Sequence, residues 1–351
     1  MSDPVATTKA AGFRHVLVRH VALAVAVIAI GLIPVAVFGL VSGQWAAASW
    51  AMLGMLIGLN NLTLGGRALG YLSFGLVTAL TPIAIVSGAV PLAGAGLMAI
   101  MCFGVGLSAS RGIHQGLVMI PLFMACMIIA PPTWSGHPID RNTTAYLLSM
   151  MLFFGGGVLW AVLVFPPLLR KRPFVPPEPN SRTDTVIYTV IITVLCTAST
   201  LGVLIWYPGS RGAWLVVILL VITRVGHEGT VKLTLTYAAG TIAGVGIAAA
   251  VASLVTVEAV LLSIGMILLV IAVVVRQGAH FGAFVAFLTP ALVLFSSTSI
   301  ADVPKTDAQR LAFAMVAVGL ALIASAVTVL WAHYQQTHTP AEPAAPLGAA
   351  P

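Results

Sequence analysis

The chain has 351 residues, of which 60% are hydrophobic and only 7% are charged. Because soluble domains carry about 25% charged residues, this composition excludes most soluble enzyme classes and predicts a membrane protein. The formal net charge of +7 does not indicate nucleic-acid binding, since the basic residues lie at the ends of apolar segments. Cys102, Cys126 and Cys196 lie in apolar segments without paired spacing, so no disulfide framework or zinc site is predicted.

Glycine, proline, asparagine and charged residues divide the chain into twelve apolar segments, and a membrane-spanning helix needs about 20 apolar residues. We therefore predict an all-α polytopic membrane protein of about twelve transmembrane helices. The predicted spans of the first half are Arg19 to Val41, Gln44 to Leu59, Gly66 to Ser87, Val90 to Ala109, His114 to Ala130 and Thr144 to Leu169. Those of the second half are Thr185 to Trp206, Ala213 to Val225, Leu233 to Leu254, Ala259 to Val275, His280 to Leu294 and Arg310 to Ala332.

The distribution of lysine and arginine predicts the orientation of these spans. With twelve crossings and a cytoplasmic amino terminus, twelve basic residues fall inside and only Arg141, Arg211, Lys305 and Arg310 fall outside. Positively charged loops resist translocation, so both termini are predicted to be cytoplasmic. The tails, residues 1–13 and 335–351, are poor in apolar segments able to form a core and are predicted to be disordered.

An internal repeat is predicted on both sides of a basic, proline-rich cytoplasmic linker, residues 170–184. The linker separates residues 14–169 from residues 185–334, and the two parts match at an offset of 165 to 166 residues. The best match joins GIHQG (Gly112 to Gly116) and GAHFG (Gly278 to Gly282). Because each part has six spans, the two repeats are predicted to be parallel and related by an axis along the membrane normal. Chance alignment of common glycines is the alternative.

The second span of each half is short and is followed by a polar turn, Gly58 to Arg67 in the first half and Arg224 to Lys232 in the second. Short, glycine-interrupted spans at matching positions indicate a site built from broken helices, and basic side chains there favour an anionic ligand. The candidate substrate-binding residues are Arg67, Lys232, Trp50, Trp214, Asn60 and Asn61. The alternative is that these are ordinary cytoplasmic turns with basic anchor residues.

Few titratable groups lie within or beside the spans, where a charge costs at least about 2.5–3.5 kcal/mol. Glu228 lies between two spans, while His114 and His280 begin the fifth span of each half. Since histidine titrates near neutral pH, these three residues are the candidates for proton coupling; interfacial hydrogen bonding is the alternative for the histidines. Walker, HExxH and CxxC motifs are lacking, so no cofactor, metal site or enzymatic activity is predicted.

Three features together resemble the fusaric acid resistance and aromatic acid exporter family. They are a tryptophan that opens the short second span, a basic residue in the following turn, and the GTxxG of TYAAGTIAG, with Gly240, Thr241 and Gly244. The resemblance implies a bacterial inner-membrane exporter of aromatic carboxylic acids, driven by the proton gradient and working with a periplasmic adaptor protein. The expected partners are therefore a small organic anion, the lipid bilayer, an adaptor and further copies of the chain. A non-transporting membrane subunit or scaffold and a passive anion channel are the alternatives.

Overall fold

The computed structural model describes residues 29–132, 143–169, 178–208, 211–225, 227–255, 281–296 and 303–338, with isolated positions at 26 and between 260 and 275. The described residues form helices joined by short turns, and they include no strand. The helices are α1 (Ala29–Ser42), α2 (Trp45–Ala48), α3 (Trp50–Ser87), α4 (Pro91–Ser108), α5 (His114–Leu117), α6 (Met119–Ile129), α7 (Thr144–Val164), α8 (Pro166–Leu169), α9 (Arg182–Trp206), α10 (Ala213–Ile222), α11 (His227–Leu254), α12 (Phe281–Ser296) and α13 (Val303–His338). A 3₁₀-helix, Ala109–Arg111, follows α4.

Six segments within the described residues are long and apolar enough to cross a membrane. They lie in α3, α4 with its 3₁₀ extension, α7, α9, α11 and α13. The chain is thus a multi-pass, all-helical membrane protein, as its composition predicted. Most predicted spans coincide with a helix, but the span from Ala259 to Val275 falls largely outside the described residues. The total of about twelve spans, the two parallel repeats and the domain boundaries therefore stay predictions.

The predicted turn between the second and third spans is wrong. The helix that begins at Trp50 continues through Asn60 and Asn61 and breaks only at Gly66, where φ is 67° and ψ is −161°. This backbone conformation is essentially restricted to glycine, so Gly66 rather than the asparagines determines the break. The asparagines are helical residues inside a long helix, and α3 consists of two helical segments, residues 50–65 and 67–87.

The predicted last span, Arg310 to Ala332, agrees within two residues with the apolar segment Ala308–Leu330, although its helix begins earlier. Helix α13 begins at Val303, so Arg310 lies within the helix, and its side chain is only 3% exposed. The positive charge suggested an external helix end, because such charges usually mark the boundary of a span. In the structure the guanidinium instead packs among aromatic side chains.

Close packing of α3 against α7 depends on glycines. A Cβ atom at Gly54 would overlap the main-chain oxygen of Phe154, and one at Gly157 would overlap the main-chain oxygen of Ala51. The two backbones therefore approach more closely than any larger side chain permits, as is common between membrane helices. This contact joins the first segment of α3 closely to α7.

Helix α10 is short and largely buried. Its ten residues are all apolar, and it packs against α6, α9 and α13. At 1.5 Å per residue it is about 15 Å long, half of a hydrocarbon core of about 30 Å. Both of its ends must therefore meet other protein segments. The main hydrophobic core is shared by helices of the first half and the second half.

The amino-terminal end of α9 is fixed by two polar side chains. The Asp184 amide donates to Ser181 Oγ at 3.1 Å, so Ser181 caps the helix. Asn180 Nδ2 donates to the carbonyl oxygen of Ala109 at 2.7 Å. The last residues of the predicted linker are thereby attached to the end of α4, and α9 packs along α4. This arrangement positions the residues of α9 that face the polar cluster described next.

Candidate functional site

Four polar residues meet where α3, α5, α9 and the end of α10 come together. We call Asn61, His114, Tyr188 and Arg224 the junction cluster. Asn61 contacts α5 at Gly116, and the ring centroids of His114 and Tyr188 lie 5.5 Å apart. Arg224 lies close enough to both rings to interact electrostatically with them. The junction cluster therefore joins residues of both halves of the chain.

The GIHQG sequence, Gly112 to Gly116, determines two of the contacts in the junction cluster. Gly112 has a φ of 73°, and its amide donates to the carbonyl oxygen of Ala109 at 3.0 Å, so this glycine turns the chain from α4 into α5. Gly116 lies directly against Asn61, because a Cβ atom at Gly116 would overlap Asn61 Oδ1. His114 stands between the two glycines and faces Tyr188. The motif thus has a structural explanation, because Gly112 permits the left-handed turn and Gly116 permits the close contact with Asn61.

Asn61 carries unused hydrogen-bonding capacity. Its side chain is 0% exposed, and neither Nδ2 nor Oδ1 has a hydrogen-bond partner among the described residues. Asn60 Nδ2, on the next residue, is likewise buried and without a partner there. A buried polar group without a partner costs about 1–3 kcal/mol, so this part of α3 is held at a cost in stability. Such groups are suited to receive a polar ligand or an ordered water molecule.

His114 is the titratable group of the junction cluster. Its side chain is 6% exposed, and Nδ1 has no hydrogen-bond partner within the described part of the chain. The imidazole meets the Tyr188 ring at an interplanar angle of 65°, which is an edge-to-face contact. The free nitrogen can therefore accept or donate a proton at a site that the surrounding helices shield from solvent.

Arg224 supplies a positive charge two residues after the end of α10. Burial lowers the pKa of the Arg224 guanidinium, yet arginine keeps its proton in proteins. The carbonyl end of α10 favours a cation at this position. Arg224 was predicted only as one residue of the second turn. The sequence feature that distinguishes Arg224 is its position two residues after α10, a helix too short to cross the bilayer.

The two basic residues predicted to bind substrate do not lie in the junction cluster. The side chains of Arg67 and Lys232 are exposed, and they lie after the helix break and on the surface of α11, respectively. Asn60 and Asn61, in contrast, lie in or next to the cluster. The predicted cationic role therefore fits Arg224 better than either exposed residue.

The other predicted site residues have separate surroundings. Trp50 packs edge-on against Phe154 with ring centroids 5.7 Å apart, whereas the Trp214 ring lies beneath Arg310. Glu228 belongs to the first turn of α11, but its side chain is outside the described residues, as is the whole of His280. The role of these two residues in proton coupling stays a prediction.

No group of three metal-ligating side chains occurs in the part of the chain that the structure describes. Cys102 of α4 and Cys196 of α9 are both buried and in contact with each other, where they fill space between the helices. Among the described residues, the chemistry of the site therefore rests on a guanidinium, an imidazole, an amide and a phenol. Chemical groups of these kinds are able to bind an anion and to exchange a proton.

The comparisons with known proteins give one family match. The model of the family described as fusaric acid resistance protein-like matches residues 194–324, from within α9 to within α13. This match supports the family resemblance over residues 194–324. The matched part contains α10, Arg224 and the GTxxG motif, so the resemblance predicted from the sequence is confirmed. It relates the chain to membrane efflux proteins. No match was found among curated proteins or among solved structures.

Proposed function

We propose that the protein exports small organic anions, in particular aromatic carboxylic acids, across the bacterial inner membrane and that the proton gradient drives this export. The observation that carries the proposal is the junction cluster, in which the half-buried Arg224 lies near His114, and His114 Nδ1 and the Asn61 amide have no partner among the described residues. Transporters commonly bind substrate where helices are interrupted within the membrane. Here residues 50–65 and α10 both end near the cluster.

The groups of the junction cluster complement a carboxylate. A guanidinium offers a planar fork of donors, and charge-assisted hydrogen bonds of this kind are about twice as strong as neutral ones. The side-chain amides of Asn61 and Asn60 add hydrogen-bond donors that are already buried. Ligand binding therefore carries no further desolvation cost for these groups. The rings of His114 and Tyr188 offer an apolar surface for an aromatic substrate.

Two components of the proton gradient act on such a site. The membrane potential, negative inside, favours outward movement of an anion by about 2.3 kcal/mol per charge for every 100 mV. The pH difference can act only through a group that exchanges a proton, and we assign this role to His114, whose Nδ1 has no partner among the described residues. Export is therefore expected to have one part driven by the membrane potential and a second part driven by the pH difference through His114.

The experiment is transport of radiolabelled benzoate in everted membrane vesicles, with the pH difference and the potential imposed separately. We expect wild-type protein to respond to both. The His114→Asn variant should lose the response to the pH difference and keep the response to potential, while the control His338→Asn, at the end of α13, should behave as wild type. A protein that responds to potential alone, with or without His114, is a passive anion channel. No gradient-dependent transport by purified wild-type protein would favour the scaffold alternative.

A further inference from the structure

Two buried cysteines meet where α4 of the first half packs against α9 of the second half. The side chains of Cys102 and Cys196 are each 0% exposed, and their thiols are in hydrogen-bonding contact. The sequence does not show this pair, because the two residues lie in separate spans without paired spacing. Two sulfur ligands are thus brought together only by the packing of the two halves.

The packing of α4 against α9 holds the two cysteines opposite each other. A Cβ atom at Gly106 would overlap the Thr189 side chain, and near the start of α4 a Cβ atom at Gly94 would overlap the Leu204 side chain. The two helices therefore run antiparallel and lie close together between these two points. Both cysteines lie within that stretch, so the close approach of the helices places them at the same level of the interface.

The neighbouring turn of each helix adds a thioether and a hydroxyl. Met98 lies one turn before Cys102, and Thr200 lies one turn after Cys196, so each shares the helix face of its cysteine. Both side chains are fully buried. Thr200 Oγ1 has no hydrogen-bond partner within the described part of the chain. This region therefore offers three sulfur atoms and one hydroxyl that can still donate a hydrogen bond.

Sulfur ligands of this kind select a soft metal ion. Thiolate and thioether sulfurs favour Cu(I), whereas Mg²⁺ and Ca²⁺ take oxygen ligands. Structural zinc sites need four ligands, and no three histidine, cysteine or acidic side chains meet within the described ranges. Cu(I) is stable with two or three sulfur ligands. The two cysteines and the Met98 thioether therefore suit Cu(I) better than these divalent ions.

The contact between the two thiols also has a suitable length. With metal–sulfur bonds of about 2.3 Å, as in zinc thiolates, two sulfurs on one ion lie at most about 4.6 Å apart. Side-chain atoms in contact lie within about 4.5 Å of each other. A metal ion can therefore join the two sulfurs with little movement of α4 or α9.

Binding exchanges one proton for one metal ion. Cu(I) replaces the proton on one cysteine sulfur, the other cysteine sulfur and the Met98 thioether coordinate as neutral donors, and the released proton passes to water. Copper stays in the Cu(I) state, so the step needs no oxidant or reductant. One positive charge leaves as another arrives. The net charge between α4 and α9 is therefore unchanged, which avoids the large cost of an isolated buried charge.

We propose that Cys102, Cys196 and Met98 form a Cu(I) site between the two halves of the chain, with the Thr200 hydroxyl donating to the thiolate sulfur. The site is separate from the junction cluster and does not depend on anion export. A protein that exports no anion can still bind Cu(I), and a protein that exports benzoate without binding Cu(I) contradicts only this site.

The test is anaerobic titration of the full chain in nanodiscs with Cu(I), in competition with the coloured chelator bicinchoninate. Wild-type protein should bind one Cu(I) per chain that Zn²⁺ does not displace, and X-ray absorption at the copper edge should show sulfur ligands alone. Cys102→Ser and Cys196→Ser should each lower the Cu(I) affinity at least tenfold. The matched control is Cys126→Ser, which removes the third cysteine, in α6, and should keep wild-type affinity.

Two threonine variants test the hydroxyl. Thr200→Val should weaken Cu(I) binding about tenfold, because it removes the donor to the thiolate. Thr81→Val should leave binding unchanged, because the Thr81 hydroxyl already donates to the Val77 carbonyl oxygen at 2.7 Å. The X-ray absorption of wild-type protein identifies the ligands even if a serine variant does not fold. Nitrogen or oxygen ligands at the copper, unchanged affinity in both serine variants, or no Cu(I) bound by wild-type protein would overturn the proposal.

Discussion

At the scale of the residue, Asn61 combines complete burial with an unsatisfied amide. Its amide is buried in α3 against Gly116 and has no partner among the described residues. Ser73, also buried in α3, is different because its hydroxyl donates to the carbonyl oxygen of Leu69 at 2.7 Å. Both residues are buried in the same helix. Comparing variants at the two positions therefore isolates the effect of a polar group without a hydrogen-bond partner.

Replacing Asn61 by leucine should stabilise the protein. The substitution removes two polar atoms that lack partners and fills a similar volume, so the free energy of unfolding should rise by about 1–3 kcal/mol. Unfolding in detergent micelles, followed by circular dichroism, measures this change. Benzoate affinity should fall at least tenfold at the same time.

The matched control for this prediction is Ser73→Ala, which removes a satisfied hydroxyl and should bring no gain in stability. Because Ser73 is far along the helix from Asn61, it should also leave benzoate binding unchanged. A less stable Asn61→Leu protein with normal affinity would show that Asn61 has a structural partner and no part in binding.

At the scale of the element, the two interruptions near the junction cluster have different causes. Helix α3 breaks at Gly66 because of the backbone conformation of that glycine. Helix α5 ends at Leu117, because Pro121, four residues later, has no N–H to donate to the Leu117 carbonyl oxygen. The sequence showed glycines and asparagines together in the first turn. Local propensity could not say which of them breaks the helix, because asparagine is tolerated in both helices and turns.

Gly66→Ala should destabilise the protein by about 1–3 kcal/mol, since the φ of 67° and ψ of −161° are strained for any residue with a Cβ atom. Gly75→Ala is the control. Gly75 lies in the same helix, and nothing lies within 4 Å of a Cβ atom placed there. This control should be neutral or slightly stabilising, because alanine favours helix. Thermal unfolding in detergent compares the two; equal midpoints would mean that α3 tolerates a continuous helix at Gly66.

At the scale of the whole molecule, the predicted orientation has a direct consequence for both repeats. If each half crosses the membrane an even number of times, the linker and the carboxyl terminus lie on the same, cytoplasmic side. Reporter fusions after Arg172 and after His338 should then be active only in the cytoplasm. A fusion after Pro208, between α9 and α10, should report the periplasmic side. Fusions at Arg172 and His338 that report opposite sides would contradict the parallel repeats.

The sequence by itself determined the class of the protein, most helix positions and the family. These properties depend on local composition, because a bilayer requires about 20 apolar residues for each helical crossing wherever that segment lies in the fold. For this reason α4, α7 and α9 agree closely with their predicted spans. The motif GTxxG likewise needed no tertiary information to indicate the family that residues 194–324 match.

Only the tertiary structure decided which polar residues meet. Asn61, His114, Tyr188 and Arg224 come from four separate segments, and no local pattern shows that these segments come together. Arg310 was assigned to a helix end because charge at a boundary is the common case, yet its contact with Trp214 stabilises it inside a helix. Whether a charged side chain is buried depends on the neighbours that other helices supply, and those neighbours are distant in sequence.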